Sequence, residues 1–332
     1  MSGRVVPTDQ IQITKNANQL NVVLRNPDPV SMSAEAEPHY RGKPLSQQGQ
    51  FGEIMKELDR MVGLDNVKEL VFEIYALLRI GGFRAEVGLM ANSQVYHMVF
   101  KGNPGTGKTT VARIIAKLLQ TMGVLSKGHL IEVERADLVG EYIGHTALKT
   151  RELVKKALGG VLFIDEAYSL ARGGEKDFGK EAIDTLVKAM EDHKNQFILI
   201  LAGYSQEMEL FLQTNPGLPS RFPIQLDFPD YTVDQLMQIA EIMIKEREYA
   251  LMPQTEMKIR QQIMTEKQQS DPETAFSNAR YVRNLIEKAM RNHAVRLLNQ
   301  HTQQPSKQDL MNLRPEDVKL ERKPAKEIYK TL

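Results

Sequence analysis

Two short stretches carry residue types that can work on a phosphorylated ligand. The run Gly102-Asn103-Pro104-Gly105-Thr106-Gly107-Lys108-Thr109 satisfies G-x-x-x-x-G-K-[ST] at every fixed position. Glycines let a backbone curl until successive N–H groups face one point. A helix start behind them adds partial positive charge, so the run predicts a phosphate cradle. Lys108 is then expected on the β- and γ-phosphates of ATP and the Thr109 hydroxyl on Mg²⁺, with Thr110 beside them. The second stretch, Val161-Leu162-Phe163-Ile164-Asp165-Glu166, is four apolar residues closed by two acids. Acids are depleted in strands. Two of them ending an apolar strand predict carboxylates delivered to a sheet edge. Asp165 would hold the Mg²⁺ shell, mainly through water, and Glu166 would orient and deprotonate an attacking water. Both acids together favour hydrolysis over nucleotide binding alone.

Such groups need a scaffold that brings distant stretches to one edge. Strand-like runs cover 95–100, 130–134, 161–165, 197–202 and 224–228, with amphipathic helical runs at 108–120, 145–158, 178–192 and 206–213 between them. This alternation predicts a mostly parallel five-stranded sheet covered by helices on both faces. The runs at 161–164 and 197–201 are continuously apolar, as central parallel strands are. Two helices precede the sheet, over 51–61 and 65–80, the second with Asp65 as a fair N-cap. After Pro229 the strand pattern stops, and helical periods over 232–249, 254–267 and 278–299 predict a small all-helical second domain. The organisation read from this pattern is an N-terminal extension and linker (1–50), a large α/β nucleotide-binding domain (51–229), a helical domain (230–300) and a C-terminal tail (301–332). In the extension, 11–24 reads as two short strands around a turn at Asn16-Ala17-Asn18. In the tail, 309–318 is expected to pack on the helical domain.

Composition excludes several classes. Lys plus Arg is 43 and Asp plus Glu is 42, a net charge of +1, which gives no reason to propose nucleic acid or an anionic membrane as main partner. With no cysteine, disulfides, thiolate metal sites and cysteine nucleophiles are ruled out. The first residues, MSGRVVPTDQIQ, have no apolar h-region, and no apolar run approaches the ~18 residues of a membrane span. A cytoplasmic, globular protein is expected. None of the 7 histidines stands at zinc-site spacing from another histidine or a carboxylate, and no G-x-S-x-G nucleophile is present.

The phosphate loop, the Asp-Glu strand and the helical domain after the sheet resemble the AAA+ ATPases. The runs GNPGTGKTTVAR, ADLVGEYIGHTALKTRELVKKALGGVLFIDEAYSL, AGYSQEM and NPGLPSRFPIQLDFPDY are similar to one branch of them, the CbbX / stage V sporulation protein K family. HLIEVERADLVGEYIGHTALKT and ARGGEKDFGKEAIDTLVK fit its sporulation side better. The resemblance covers about 51–300. It implies an AAA+ P-loop NTPase fold with a lid domain, and a homo-oligomeric ring, usually hexameric, with ATP at subunit interfaces. It implies that Arg221, in Asn215-Pro216-Gly217-Leu218-Pro219-Ser220-Arg221-Phe222, is a finger reaching a neighbour's γ-phosphate. It implies that Arg280 is a second sensor reaching the γ-phosphate of its own subunit, with Arg283 one turn further on. Tyr204 falls nearest the first-sensor position, where many relatives carry Asn or Thr. The adenine is placed near Val62-Gly63-Leu64. Tyr142-Ile143-Gly144 becomes a pore-facing loop that grips an extended polypeptide client, with 172–178 as a second pore-facing loop. The implied function is an ATP-driven, chaperone-like remodeller of a protein client during endospore maturation. The alternatives are a rubisco-activase-like remodeller of a metabolic enzyme, an ATP-dependent assembly scaffold with little hydrolysis, and, against the charge balance, a nucleic-acid clamp or helicase loader.

Overall fold

The structure is a computed structural model and describes residues 11–16, 19–24, 49–90, 94–142, 144–173, 177–215, 217–270, 275–300 and 304–319. Contacts divide the chain between Ser46 and Gln47. In the first unit, β1 (Ile11–Asn16) and β2 (Gln19–Leu24) pair antiparallel, with Asn16 opposite Gln19. The intervening Ala17 and Asn18, expected in the turn, lie outside the described residues.

The second unit begins with α1 (Gln50–Asp59) and α2 (Asp65–Glu86). Asp65 is not the cap of α2: that place belongs to Leu64, at φ 60° and 5% exposed. Burying a leucine side chain is worth about 1.5–3 kcal/mol, against about 1 kcal/mol for a good cap, so packing decides the helix start. The chain then runs through β3 (Met98–Gly102), α3 (Lys108–Thr121), β4 (Leu130–Val133), α4 (Arg135–Leu138), α5 (His145–Ala157) and β5 (Val161–Ile164). A 3₁₀ turn over Ala167–Ala171 leads to α6 (Gly179–Asp192), β6 (Ile198–Gly203), α7 (Ser205–Gln213), α8 (Leu218–Arg221) and β7 (Ile224–Phe228). The five strands pair in parallel in the order β4-β5-β6-β3-β7. The continuously apolar strands divide their side chains between two cores. Met98, Phe100, Val161, Phe163, Ile198 and Ile200 pack on one face against α1, α2 and α3. Val99, Leu162, Ile164, Leu199 and Leu201 pack on the other against α4 to α7. Period-two alternation with both faces covered is why the pattern reads as unbroken apolar runs.

Beyond the sheet come α9 (Val233–Glu246), β8 (Ala250–Leu251), α10 (Pro253–Gln269), α11 (Asn278–Gln300), α12 (Lys307–Met311) and β9 (Asn312–Leu313). Leu236, Met237, Ile259, Ile263, Val282 and Ile286 continue the first core without a break. Besides its helices this part holds a two-residue parallel ladder, β8 with β9, which the sequence pattern did not predict. The segment after α11 packs back on it: Asp317, 1% exposed, takes two hydrogen bonds from Arg296, and Thr255 Oγ1 donates to the Leu313 carbonyl at 2.9 Å. Among the described residues no helix is long and apolar enough to cross a membrane.

Candidate functional site

Register places the chemistry. Ile164 is opposite Leu201 across β5–β6, and Phe100 is opposite Ala202 across β3–β6. The residues that follow, Asp165-Glu166, Tyr204 and the phosphate loop, therefore leave the same carboxyl edge. There the chain order reverses about β3, and open parallel sheets bind their ligands at such a point. A cleft of about 490 Å³ opens at this edge.

Its floor is the phosphate loop. Gly105, at φ 71°, has no room for a side chain: an added Cβ would stand 2.2 Å from the Ser277 carbonyl oxygen. α3 starts at Lys108 directly behind the loop. Lys108 Nζ donates to the carbonyls of Gly102 and Asn103, at 2.8 Å each. Burial pushes the Lys108 ammonium down to about 8. Arg280 acts in the same direction, while Asp165, Asp230 and Glu166 oppose it. Such a lysine is poised to gain from an anion. Thr109, Thr110, Gly102, Pro104, Gly105 and Gly107 also line the cleft. Asn103 and Thr106 do not. Asn103 turns its amide to the Asp230 carboxylate, and Thr106 is buried with Oγ1 donating to the Asn103 carbonyl at 2.8 Å. They shape the loop.

Asp165 and Glu166 line the same cleft. Glu166 adopts a left-handed backbone, φ 47° and ψ 43°, and its N–H donates to Asp165 Oδ1 at 3.0 Å. A non-glycine residue there stores about 1–2 kcal/mol, a strain that clusters at functional sites. The Thr109 hydroxyl lies 3.4 Å from Glu132, a carboxylate on the next strand that Arg113 also reaches. This all-oxygen set of hydroxyl and carboxylates suits Mg²⁺, which prefers oxygen donors and keeps several waters. Tyr204 and Arg280 line the cleft, with Arg283. Burial, and after it the Glu166 charge, raises the Tyr204 hydroxyl, which stays protonated at neutral pH.

Of the adenine stretch, Val62 lines the cleft, with Arg60 and Met61. Gly63 and Leu64 do not line it: Leu64 is in the core, and an added Cβ on Gly63 would meet Gln235 Nε2 at 2.6 Å. The other apolar lining comes from α9, through Ile239, Ile242 and Met243, and from Tyr231. The sequence reading did not find these. Their one signal is a helix with more apolar positions than its inner face needs.

Arg221 is not brought to this cleft. It sits on α8, where one guanidinium nitrogen donates to the Gly217 carbonyl at 2.9 Å and another pairs with Glu191. It lines a separate cleft, with Tyr96, Lys194 and Phe197. Tyr142 is 65% exposed, its ring edge-on to His145. Gly144 follows at φ 82° with open space around it, and Ile143 lies outside the described residues. Of the second loop, Arg172 lies over the Tyr168 ring, and the Asp177 carboxylate accepts from Arg135 at 2.6 and 2.8 Å. Residues 174–176 lie outside the described residues.

The family model "ATPase family associated with various cellular activities (AAA)" matches residues 98–230, and an AAA lid domain model matches 232–328. Stage V sporulation protein K of Bacillus subtilis is 58% identical over 309 residues, 92% of this chain and 95% of that protein. The chain belongs to the AAA+ ATPases, in the CbbX / stage V sporulation protein K family. A chloroplastic ribulose bisphosphate carboxylase/oxygenase activase of Cyanidioschyzon merolae is 44% identical over 82% of this chain and 92% of its own length. Among solved structures, the AAA domain of FIGL-1 shares the fold at TM-score 0.53 and 18% identity, over 78% of this chain and 79% of that one. Membership makes this AAA+ chain a nucleotide-binding protein. The parallel sheet with its helical lid is the family's architecture.

Proposed function

We propose that this chain hydrolyses ATP as a homo-oligomeric ring, six subunits in the family pattern, and spends the energy remodelling a protein client in the cytoplasm during endospore maturation. The observation that carries the reading is what the cleft gathers and what it lacks. Lys108, Asp165, Glu166, Tyr204 and Arg280 meet at one edge, while Arg221 is held elsewhere on the surface. A neighbour's Arg221 supplies the missing positive charge, a contribution worth about 10³-fold or more in rate. Mg²⁺, when bound through Thr109 and Asp165, mainly by way of water, neutralises phosphate charge.

The chain's own groups do the rest. The loop amides and Lys108 orient the phosphates. The Glu166 carboxylate accepts a proton from the attacking water, and Tyr204 orients that water through its protonated hydroxyl. Arg280 reports the γ-phosphate to the lid. Tyr142, exposed on a glycine-ended loop, grips the client without reading its sequence. The greater identity to the sporulation protein than to the activase favours a sporulation client over a metabolic enzyme.

The test is ATP turnover per subunit across protein concentrations, with Arg221→Ala protein mixed in at rising fractions. A shared site gives a rate per subunit that rises with concentration and falls, on adding the variant, more steeply than dilution. A flat rate with a variant that behaves as wild type removes the ring and the finger.

A further inference from the structure

Asn278, Asp230 and Asn103 form a polar link between the phosphate loop and the lid that no step above uses. Asn278 is fully buried and left-handed, φ 45°, a region asparagine tolerates better than most residues. Its Oδ1 accepts from the Tyr231 N–H at 3.0 Å. Its Nδ2 donates to Asp230 Oδ1 at 2.7 Å and to the Phe276 carbonyl at 2.9 Å, which uses both amide protons; the Pro104 carbonyl stands further off at 3.3 Å. A donor on one side and acceptors on the other set the amide's orientation. The same Asp230 carboxylate accepts from Asn103 Nδ2 of the phosphate loop at 2.9 and 3.0 Å. Two more contacts join the same parts. The Ala279 N–H donates to the Gly105 carbonyl at 3.2 Å, and the Tyr231 hydroxyl donates to the Thr106 carbonyl at 3.1 Å.

A residue that only started α11 would turn its side chain to that helix's free N–H groups. Asn278 instead accepts from the chain entering the lid and donates to a carboxylate already held by the phosphate loop. Buried amides with all partners made are costly to disturb, so the α11 start cannot move without the loop. Arg280, two residues on, opens onto the cleft.

We propose that Asn278, through Asp230, is a positioning residue that locks Arg280 over the place of the γ-phosphate and so lets the site tell ATP from ADP. This rests on reading the cleft as the ATP site. ADP needs the loop amides and Lys108. Only a nucleotide with a γ-phosphate gains from an arginine held at a set distance.

The experiment is calorimetric titration of the full chain with ADP and with adenylyl-imidodiphosphate, each with Mg²⁺. The proteins are wild type, Asn278→Ala, Arg280→Ala, the double variant and Asp230→Asn. Asn278→Ala is expected to weaken the triphosphate analogue about tenfold and ADP less than about threefold. The double variant should be no worse than Arg280→Ala alone, because the two residues act in series. Asp230→Asn keeps the shape and should show a smaller loss of discrimination in the same direction. Equal weakening of both nucleotides by Asn278→Ala makes it a purely structural residue and overturns the proposal. So do additive effects with Arg280→Ala, or an Arg280→Ala protein that keeps wild-type discrimination. If Asn278→Ala does not fold, unchanged discrimination in Asp230→Asn overturns it. Failure of the ATP-site reading looks different: Lys108→Ala would then bind both nucleotides as wild type does.

Discussion

Two glycine-bearing loops, one after β3 and one after α4, differ in their surroundings. In the phosphate loop, Gly105 is pressed against Ser277, Thr106 is buried and Asn103 is tied to Asp230. In the loop after α4, Gly140 is packed against His145, but Tyr142 is 65% exposed and a Cβ added at Gly144 would meet nothing within 4 Å. Holding phosphates for in-line attack needs donors set before the substrate arrives, because geometry supplied in advance lowers the barrier. Gripping a chain of arbitrary sequence needs an aromatic ring free to meet many surfaces. Glycine thus stands in a packed place at Gly105 and at an open one at Gly144.

The sharpest way to break this comparison is at Glu166, the proposed base. Glu166→Gln is expected to keep nucleotide binding and lose turnover by about 10²–10⁴-fold; single-turnover measurement at saturating ATP checks it, and a rate near wild type would remove Glu166 as the base. Matched glycine substitutions come next. Gly105→Ala, with its Cβ 2.2 Å from a backbone oxygen, should weaken ADP binding about tenfold or more and lower Tm. Gly144→Ala, strained only by its φ of 82°, should cost about 1 kcal/mol and leave ADP affinity unchanged. Equal effects at both sites would erase the contrast.

A pH titration sharpens the phosphate side. Lys108 titrates at about 8 in the free protein, below its ordinary 10.5. Phosphate needs the charged lysine, so ATP affinity should be flat below pH 8 and fall up to about tenfold per pH unit above it. In the nucleotide-free fold the sign is opposite: the unfolded chain holds the extra proton between 8 and 10.5, so this group makes stability rise with pH there. The smallest effect on the fold is expected at Tyr142→Ala, within about 0.5 kcal/mol in denaturant unfolding because the side chain is exposed, while work on a protein client is lost. Client remodelling that survives would show that this loop does not grip.

Much of the fold was legible because it is periodic. The five strands and most of the helices between them follow from apolar runs of one length alternating with amphipathic runs of another. The phosphate loop and Asp165-Glu166 were legible because their chemistry is local: a few adjacent residues carry it. The short elements were not. α4, α8, the 3₁₀ turn after Glu166 and the β8–β9 ladder have two to five residues each, too few for a period to show. Asp65 was misread as a cap because a capping preference is local, whereas the burial of Leu64 depends on residues far along the chain. The α9 wall of the cleft was missed for the same reason, as was the division of the loop into lining residues and the two that shape it, Asn103 tied to Asp230 and the buried Thr106.

By itself the sequence determined the fold class and singled out the loop at 102–109 and the acid pair that share one cleft, since each is written in residues near one another and in a period the backbone imposes. Only the tertiary structure decided which residues share the cleft, that Arg221 stands outside it, and that Asp230 and Asn278 join lid to loop. Asn278 meets Pro104 across 174 positions of sequence. No local preference encodes such a pair, because it forms only when two separately folded stretches are pressed together by a common core.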